Sequence, residues 1–204
     1  MRPPEPARTP EENYWHADRE ARRDGGKLPA DAWIPGLAGD LPVRQIQRSA
    51  VRAVCLPPEP EWSLGSLREG HRKLAQLAAA QGLQLLESPL VALLADPAHS
   101  ERAGWRWQQL LPVRGRLRDA DLGPGISMQR TFGGLYLETR ASGGPDKLAL
   151  LYQHLFGHYL PRYKHELTRP CIYHRILDGL DGRSAAGLTI SVLVPVVLSI
   201  ESRG

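Results

Sequence analysis

The stretches AGWRWQQLLPV (Ala103 to Val113) and AGLTISVLVPV (Ala186 to Val196) read as two versions of one segment, because Ala103, Gly104, Leu110, Pro112 and Val113 recur as Ala186, Gly187, Leu193, Pro195 and Val196 at an offset of 83 residues. Upstream, at an offset of 81, Leu56 falls on Leu137, Leu67 on Leu148, Leu74 on Leu155, Leu86 on Leu167 and Pro89 on Pro170. A duplication of this length predicts two similar lobes in one chain and places function at the seam between them.

Working outward, each copy shows the same order of elements. A short strand (Val51 to Leu56; Phe132 to Leu137) leads into an amphipathic helix. The first helix, over Ser66 to Gln81, aligns Leu67, His71, Leu74 and Ala78 on one stripe. The second, over Asp146 to Tyr159, aligns Leu148, Tyr152, Leu155 and Tyr159. Gly82 is expected to end the first helix and Pro161 to stop the second. Apolar runs opening on proline follow, PLVALLAD and PCIYHRILD, and then the closing strands Trp105 to Val113 and Leu188 to Leu198. The expected fold class is therefore α+β: a tandem β-α-β-β repeat with pseudo-twofold symmetry, its antiparallel sheet carrying two main helices on one face. Repeat one spans 49–113 and repeat two 130–196 within a domain of 43–204. Residues 1–42 have no counterpart in the repeat and read as an extension, partly helical where Thr9, Pro10 and Glu12 match a capping box.

Composition narrows the class. With 204 residues and 42% hydrophobic content the chain can bury one substantial core. A net charge of +4 with dispersed basic residues argues against nucleic acid as the partner. Cys55 and Cys171 sit in apolar strand-like runs without metal-type spacing, as buried thiols of a reducing compartment do. No apolar stretch is long enough to span a bilayer and the N-terminus lacks the pattern of a signal peptide, so the expected location is the cytoplasm. No P-loop, dinucleotide fingerprint or nucleophile elbow occurs, and no cofactor is expected. His154 and His158 have i, i+4 spacing but no third ligand at a telling distance, and no metal is expected.

The run TFGGLYLETRASGG, a helix ending LFGHYLPRY, then RPCIYHRI and TISVLVPV, resembles the GyrI-like small-molecule-binding family, which also forms the effector-binding domain of multidrug-responsive regulators. The matching features are Gly133, Gly134 and Tyr136; Leu160 and Pro161; Pro170; Pro195 and Val196. The resemblance covers about Val43 to Leu198 and implies two β-α-β-β units around a groove between the helices that holds hydrophobic or aromatic ligands. The family pattern after Pro-Cys is Phe-Glu-x-Tyr. Here Tyr173 stands at the glutamate position and Arg175 at the tyrosine position, which removes the carboxylate that attracts cationic drugs and favours neutral or anionic aromatic ligands.

The candidate ligand-binding residues are Tyr173, Tyr136, Trp105, Trp107, Tyr152, Arg175 and Glu138. Trp105 and Trp107 leave the same face of a strand, as an aromatic wall or as core. Tyr136 offers a hydroxyl to a ligand or to nearby backbone. Arg175 in a strand interior needs a partner, Glu138, Asp178 or a ligand anion. The expectation is that Tyr173, Tyr136 and at least one of the two tryptophans face a common cavity between the helices. The function read from this is capture of a small aromatic or hydrophobic molecule for sensing, sequestration or resistance. Two alternatives stand beside it. One is a hydrolase of strained cyclopropane-containing natural products, with Glu138 or another acid in place of the missing glutamate. The other is a protein-interaction module acting on a partner such as DNA gyrase; whether a protein partner or a homodimer exists stays open.

Overall fold

Alternation along the last strand shows how the sheet is built. In Leu188–Leu198 the residues Ile190, Val192, Val194 and Val196 pack into one hydrophobic cluster, while Leu193 packs into another on the opposite face. A strand with apolar residues on both faces must be covered on both sides. The computed structural model describes residues 43–60, 63–94, 106–117, 122–143, 151–152, 154–169, 171–180 and 188–198. The extension 1–42, Trp105, Pro170 and the predicted start of the second helix lie outside them.

Ten strands form one sheet: β1 (Arg44–Arg48), β2 (Arg52–Cys55), β3 (Gln84–Leu85), β4 (Leu90–Leu94), β5 (Arg106–Arg114), β6 (Ser127–Arg130), β7 (Gly134–Gly143), β8 (His165–Leu167), β9 (Cys171–Asp178) and β10 (Leu188–Leu198). The main path runs β1-β7-β10-β9-β4-β5-β2-β6, with β3 beside β5 and β8 beside β10, and every pairing is antiparallel. Helix α1 (Leu64–Ala80) starts at Ser63, whose side chain accepts from Ser66 N–H while Ser66 Oγ accepts from Ser63 N–H. The second helical segment ends in a π-helical turn, Leu155–Tyr159, that continues into α2 (Leu160–Arg162). Pro161 therefore does not stop this helix as expected. It sits in a first-turn position where its missing N–H matters little, and the wider turn before it is closed by Leu160 N–H donating to Leu155 C=O.

Both helices lie on one face. Leu74 and Ala78 of α1 pack with Val54, Leu56, Leu111 and Val113. Leu151, Tyr152, Leu155, Phe156 and Leu160 pack with Leu137, Val192, Val194 and Val196, in a cluster that Leu67 of α1 joins. Each fully buried aliphatic group of this kind contributes about 1.5 to 3 kcal/mol.

The two units match in hydrogen-bond register. Ala53 pairs with Pro112, and Tyr136, 83 residues after Ala53, pairs with Pro195, 83 residues after Pro112. Strands β2 and β7 thus correspond at 83 rather than the 81 read from leucine matches, and Val54, not Leu56, is the counterpart of Leu137. The units also hold strands that the repeat did not reveal. Strand β1 precedes β2 yet pairs with β7, and β6 precedes β7 yet pairs with β2, so each unit lends its first strand to the other.

This exchange bends the sheet. Strands β1 and β2 are six places apart in the path, about 29 Å if the sheet were flat. The chain from Arg48 to Arg52 reaches at most about 14 Å. The sheet must curl, and the face away from the two described helices is the inner one: Ala53, Cys55, Leu90, Ala92, Tyr136, Tyr173 and Leu193 are buried there with no helix among the described residues over them. The two linkers cross at the closure, where Thr131 N–H donates to Val51 C=O (2.8 Å) and Val51 N–H to Thr131 Oγ1 (3.0 Å).

Candidate functional site

Strands β4 and β9 bring the units together. Val91 and His174 face each other in register and are equivalent at the offset of 83, so the pseudo-twofold axis passes through this pair. On the helical side, His174 Nδ1 lies 3.0 Å from Val91 C=O, an acceptor only, so Nδ1 carries the proton and Nε2 accepts from the Tyr152 hydroxyl. Burial drives the His174 pKa down to about 4, against a smaller upward pull from the Val91 carbonyl, and the ring is neutral. The half-buried ring of Trp107 lies 5.5 Å from the imidazole, and Phe156 stands 5.9 Å from Tyr152. The floor of the seam is thus aromatic and uncharged.

An open cleft of about 730 Å³ is lined by Gly65, Arg68, Glu69, His71 and Arg72 of α1 and by Leu180 beyond the end of β9. Arg68 Nη2 donates to Gly179 C=O (3.2 Å), which ties α1 to the second unit. Leu180 packs against the cluster that contains Tyr152 and Trp107. Arg68 Nε and His71 Nδ1 are buried without a hydrogen-bond partner among the described residues. Burial also lowers the His71 pKa.

Four of the residues expected at the site lie on the other face. Tyr136 and Tyr173 sit in the inner cluster, with ring centroids 6.3 Å apart. Tyr136 Oη donates to Phe132 C=O (3.0 Å), while Phe132 N–H donates to Tyr173 Oη (3.1 Å). Burial pushes the Tyr136 hydroxyl up to about 12, against the pull of Arg48, and raises Tyr173 further still. The Gly133-Gly134 pair before Tyr136 has a matching reason. A Cβ on Gly133 would stand 2.8 Å from Ala50 N and 3.2 Å from Arg48 O, and Gly134 has φ +134°. Both tyrosines hold the crossing linkers.

Glu138 and Arg175 are on this inner face too. Glu138 Oε2 accepts from Arg44 Nε (2.6 Å), and Oε1 accepts from Arg175 Nη2 (2.5 Å) and Ser191 Oγ. Burial alone would raise the Glu138 pKa; the hydrogen bonds of Ser191 and Arg44 and the charge of Arg175 outweigh it and lower it. Arg48 bridges to Glu87 (2.5 Å) with its guanidinium 5.5 Å from the Tyr136 ring centroid and 5.7 Å from that of Tyr173. The expectation of one cavity shared by Tyr136, Tyr173 and a tryptophan is therefore corrected: Trp107 faces the helices and the tyrosines face inward. In register Trp107 pairs with Leu93 and Leu93 with Ile172, one place from Tyr173, so Trp107 and Tyr173 face opposite ways, and the sequence alone did not supply that pairing. Trp105 lies outside the described residues.

Sequence reasoning passed over His174 as an undistinguished position after Tyr173, and over Arg68 and Arg72 as solvated helix charge. Arg68, His71 and Arg72 at i, i+3 and i+4 are the pattern that shows three donors on one side of a helix. Among the described residues no group of three His, Cys, Asp or Glu is placed to hold a metal ion. Cys55 and Cys171 are free and buried, their pKa values pushed up by burial to about 12 and about 11. Among the described residues no helix is long and apolar enough to cross a membrane.

Neither a family model nor a curated protein sequence matches the chain. Solved structures do. The crystal structure of the EcmrR C-terminal domain aligns with a TM-score of 0.61 at 15% identity, over 78% of this chain and 99% of that one. The cryo-EM EcmrR–DNA complex in EcmrR-RPo aligns with a TM-score of 0.64 at 12% identity, over 93% of this chain and 66% of that longer one. A hydrolase from Listeria innocua aligns with a TM-score of 0.54 at 10% identity, over 79% and 94%. At these identities the likeness is one of fold, an antiparallel α+β sheet with two helices, the architecture that the GyrI-like resemblance implies.

Proposed function

We propose that the protein binds a small aromatic molecule on the helical side of the seam between its two units, with Trp107 as the stacking ring and Tyr152 as the hydrogen-bonding group. The observation that supports this most directly is the placement of the half-buried Trp107 against the Tyr152–His174 pair, on a floor both units share. A neutral imidazole and a phenol supply no fixed negative charge, so the floor offers a lipophilic cation only the attraction of ring faces and no paired carboxylate. The shared fold with the EcmrR C-terminal domain agrees with a ligand-binding role of this kind. As a catalytic base for the hydrolase alternative, Glu138 is poorly placed, because it lies on the inner face with both oxygens engaged.

Trp107→Leu tests the reading. Binding of 2-naphthylmethanol, followed by titration calorimetry, is expected to weaken by about 1 to 2 kcal/mol while the melting temperature of the ligand-free protein stays within a few degrees. Unchanged affinity together with a large drop in melting temperature would assign Trp107 to the core and end this proposal.

A further inference from the structure

We infer that the cleft beside α1 holds an anionic group, and that the ligand is an aromatic carboxylate whose charged end is taken by Arg68, His71 and Arg72. The inference rests on the aromatic-binding reading and names its substrate class. Three observations carry it. Arg68, His71 and Arg72 line the same cleft, where Glu69 is the single acid among the described lining residues, so the charge of that described lining is positive even with His71 neutral. Arg68 Nε, a fixed N–H donor, is buried and has no acceptor among the described residues, and His71 Nδ1 is buried with no hydrogen-bond partner among them. A buried donor without an acceptor carries a desolvation cost that a carboxylate oxygen removes. The first turn of α1, from which Gly65 lines the cleft, also contains no acidic residue to offset the positive end of the helix. The apolar lining residue, Leu180, packs against the same hydrophobic cluster that holds Tyr152 and that Trp107 also packs against, which supplies the apolar side of the cleft. An anion at one end and a ring at the other is what such a surface complements.

Three naphthyl probes of one shape separate the charge from the ring: 2-naphthoate, 2-naphthylmethanol and 2-naphthylmethylammonium, titrated into the full chain at low ionic strength. Naphthoate is expected to bind about tenfold more tightly than the alcohol and the ammonium weakest. Arg72→Gln, on an exposed helix position that the fold does not depend on, is expected to reduce naphthoate affinity several-fold and leave the alcohol unchanged. Arg68→Gln should do the same. A second arm follows the His71 ring nitrogens by NMR during an acetate titration, with saturable shifts expected in the wild type and lost in Arg68→Gln. Naphthyl binding that is indifferent to charge would overturn the anion site and keep the aromatic reading. Saturable acetate binding with no naphthyl binding would keep the anion site and remove the aromatic reading. No binding in either arm would overturn both.

Discussion

His174 and Val91 are equivalent residues of the two units that stand directly opposite one another, and the imidazole Nδ1–H of one donates to the main-chain carbonyl of the other. A twofold axis forces a choice at the pair it passes through, because two copies of one side chain would meet there. Here the pair consists of one valine and one histidine. The histidine then needs a second partner, and among the described residues Tyr152 of the second unit's helix supplies it. The chemical asymmetry of the seam starts from that pair.

Acid stability reports on it. A folded-state pKa of about 4 for His174 lies below the ordinary value of 6.5, so the unfolded chain takes up a proton first as pH falls. The stability this histidine contributes is complete above about pH 6.5 and is lost on approaching pH 4, a total of about 3 kcal/mol. His71 and His165, whose pKa values are also lowered by burial, act in the same direction. Urea unfolding at pH 7.5 and pH 4.5 measures the difference, and His174→Leu should be less stable at pH 7.5 but lose less between the two. An identical pH dependence in the variant would show that the loss arises elsewhere.

Tyr136→Phe and Tyr173→Phe are expected to act on the fold. Each leaves one polar group of the Phe132 peptide without its partner, the carbonyl in the first case and the N–H in the second. Each should cost about 1 to 3 kcal/mol of stability and leave 2-naphthylmethanol affinity unaltered. A tyrosine whose removal weakened that affinity at constant stability would place the ligand on the inner face.

Much of this architecture was legible and the faces were not. The period of alternation in Leu188–Leu198, the stripe Leu67, Leu74 and Ala78, and the recurrence of Leu110, Pro112 and Val113 as Leu193, Pro195 and Val196 specify a duplicated antiparallel sheet with helices on one side. Strands β1 and β6, RQIQR and SMQR, are short, polar edge strands that gain order from their partners, and periodicity cannot find such segments. Nor does a strand announce which unit it will join. Tyr136 and Tyr173 looked like ligand groups because a phenol is suited both to a ligand and to a buried backbone group, and only the position of Phe132 decides between them.

Glu138→Gln should be among the most damaging single substitutions. It removes the charge that Arg44 and Arg175 share, and Arg175, four-fifths buried, keeps only the longer contact to Glu87 at 3.8 Å. Losing one partner of a buried ion pair costs about 3 to 5 kcal/mol, far more than the pair contributes when intact. The same carboxyl is held below its ordinary pKa, so this stabilisation is complete above the ordinary carboxylate pKa and is lost as pH falls through the lowered one. Chemical denaturation of the variant at pH 7 checks the magnitude. A loss under 1 kcal/mol would mean that solvent replaces the arginine contacts.

Gly133 and Gly134 are adjacent and should fail for different reasons. The three atoms nearest a methyl group on Gly133 are all main chain, Ala50 N at 2.8 Å, Arg48 O at 3.2 Å and Ser49 C at 3.4 Å, and backbone cannot turn aside to admit it as a flexible side chain would. The crossing linkers must separate, which breaks the hydrogen bonds between Val51 and Thr131 and loosens the exchange of β1 and β6. On Gly134 the same methyl meets nothing within 4 Å, but φ +134° is a conformation that side chains rarely adopt. Strain of that kind costs about 1 to 3 kcal/mol without parting the linkers. Hydrogen exchange separates the two. Gly133→Ala should speed exchange at the amides of Val51 and Thr131 well beyond the change in global stability, whereas Gly134→Ala should speed it only in proportion to that change. If both variants left the Val51 and Thr131 amides equally protected, the crossing would not be what holds the two units' first strands in exchange.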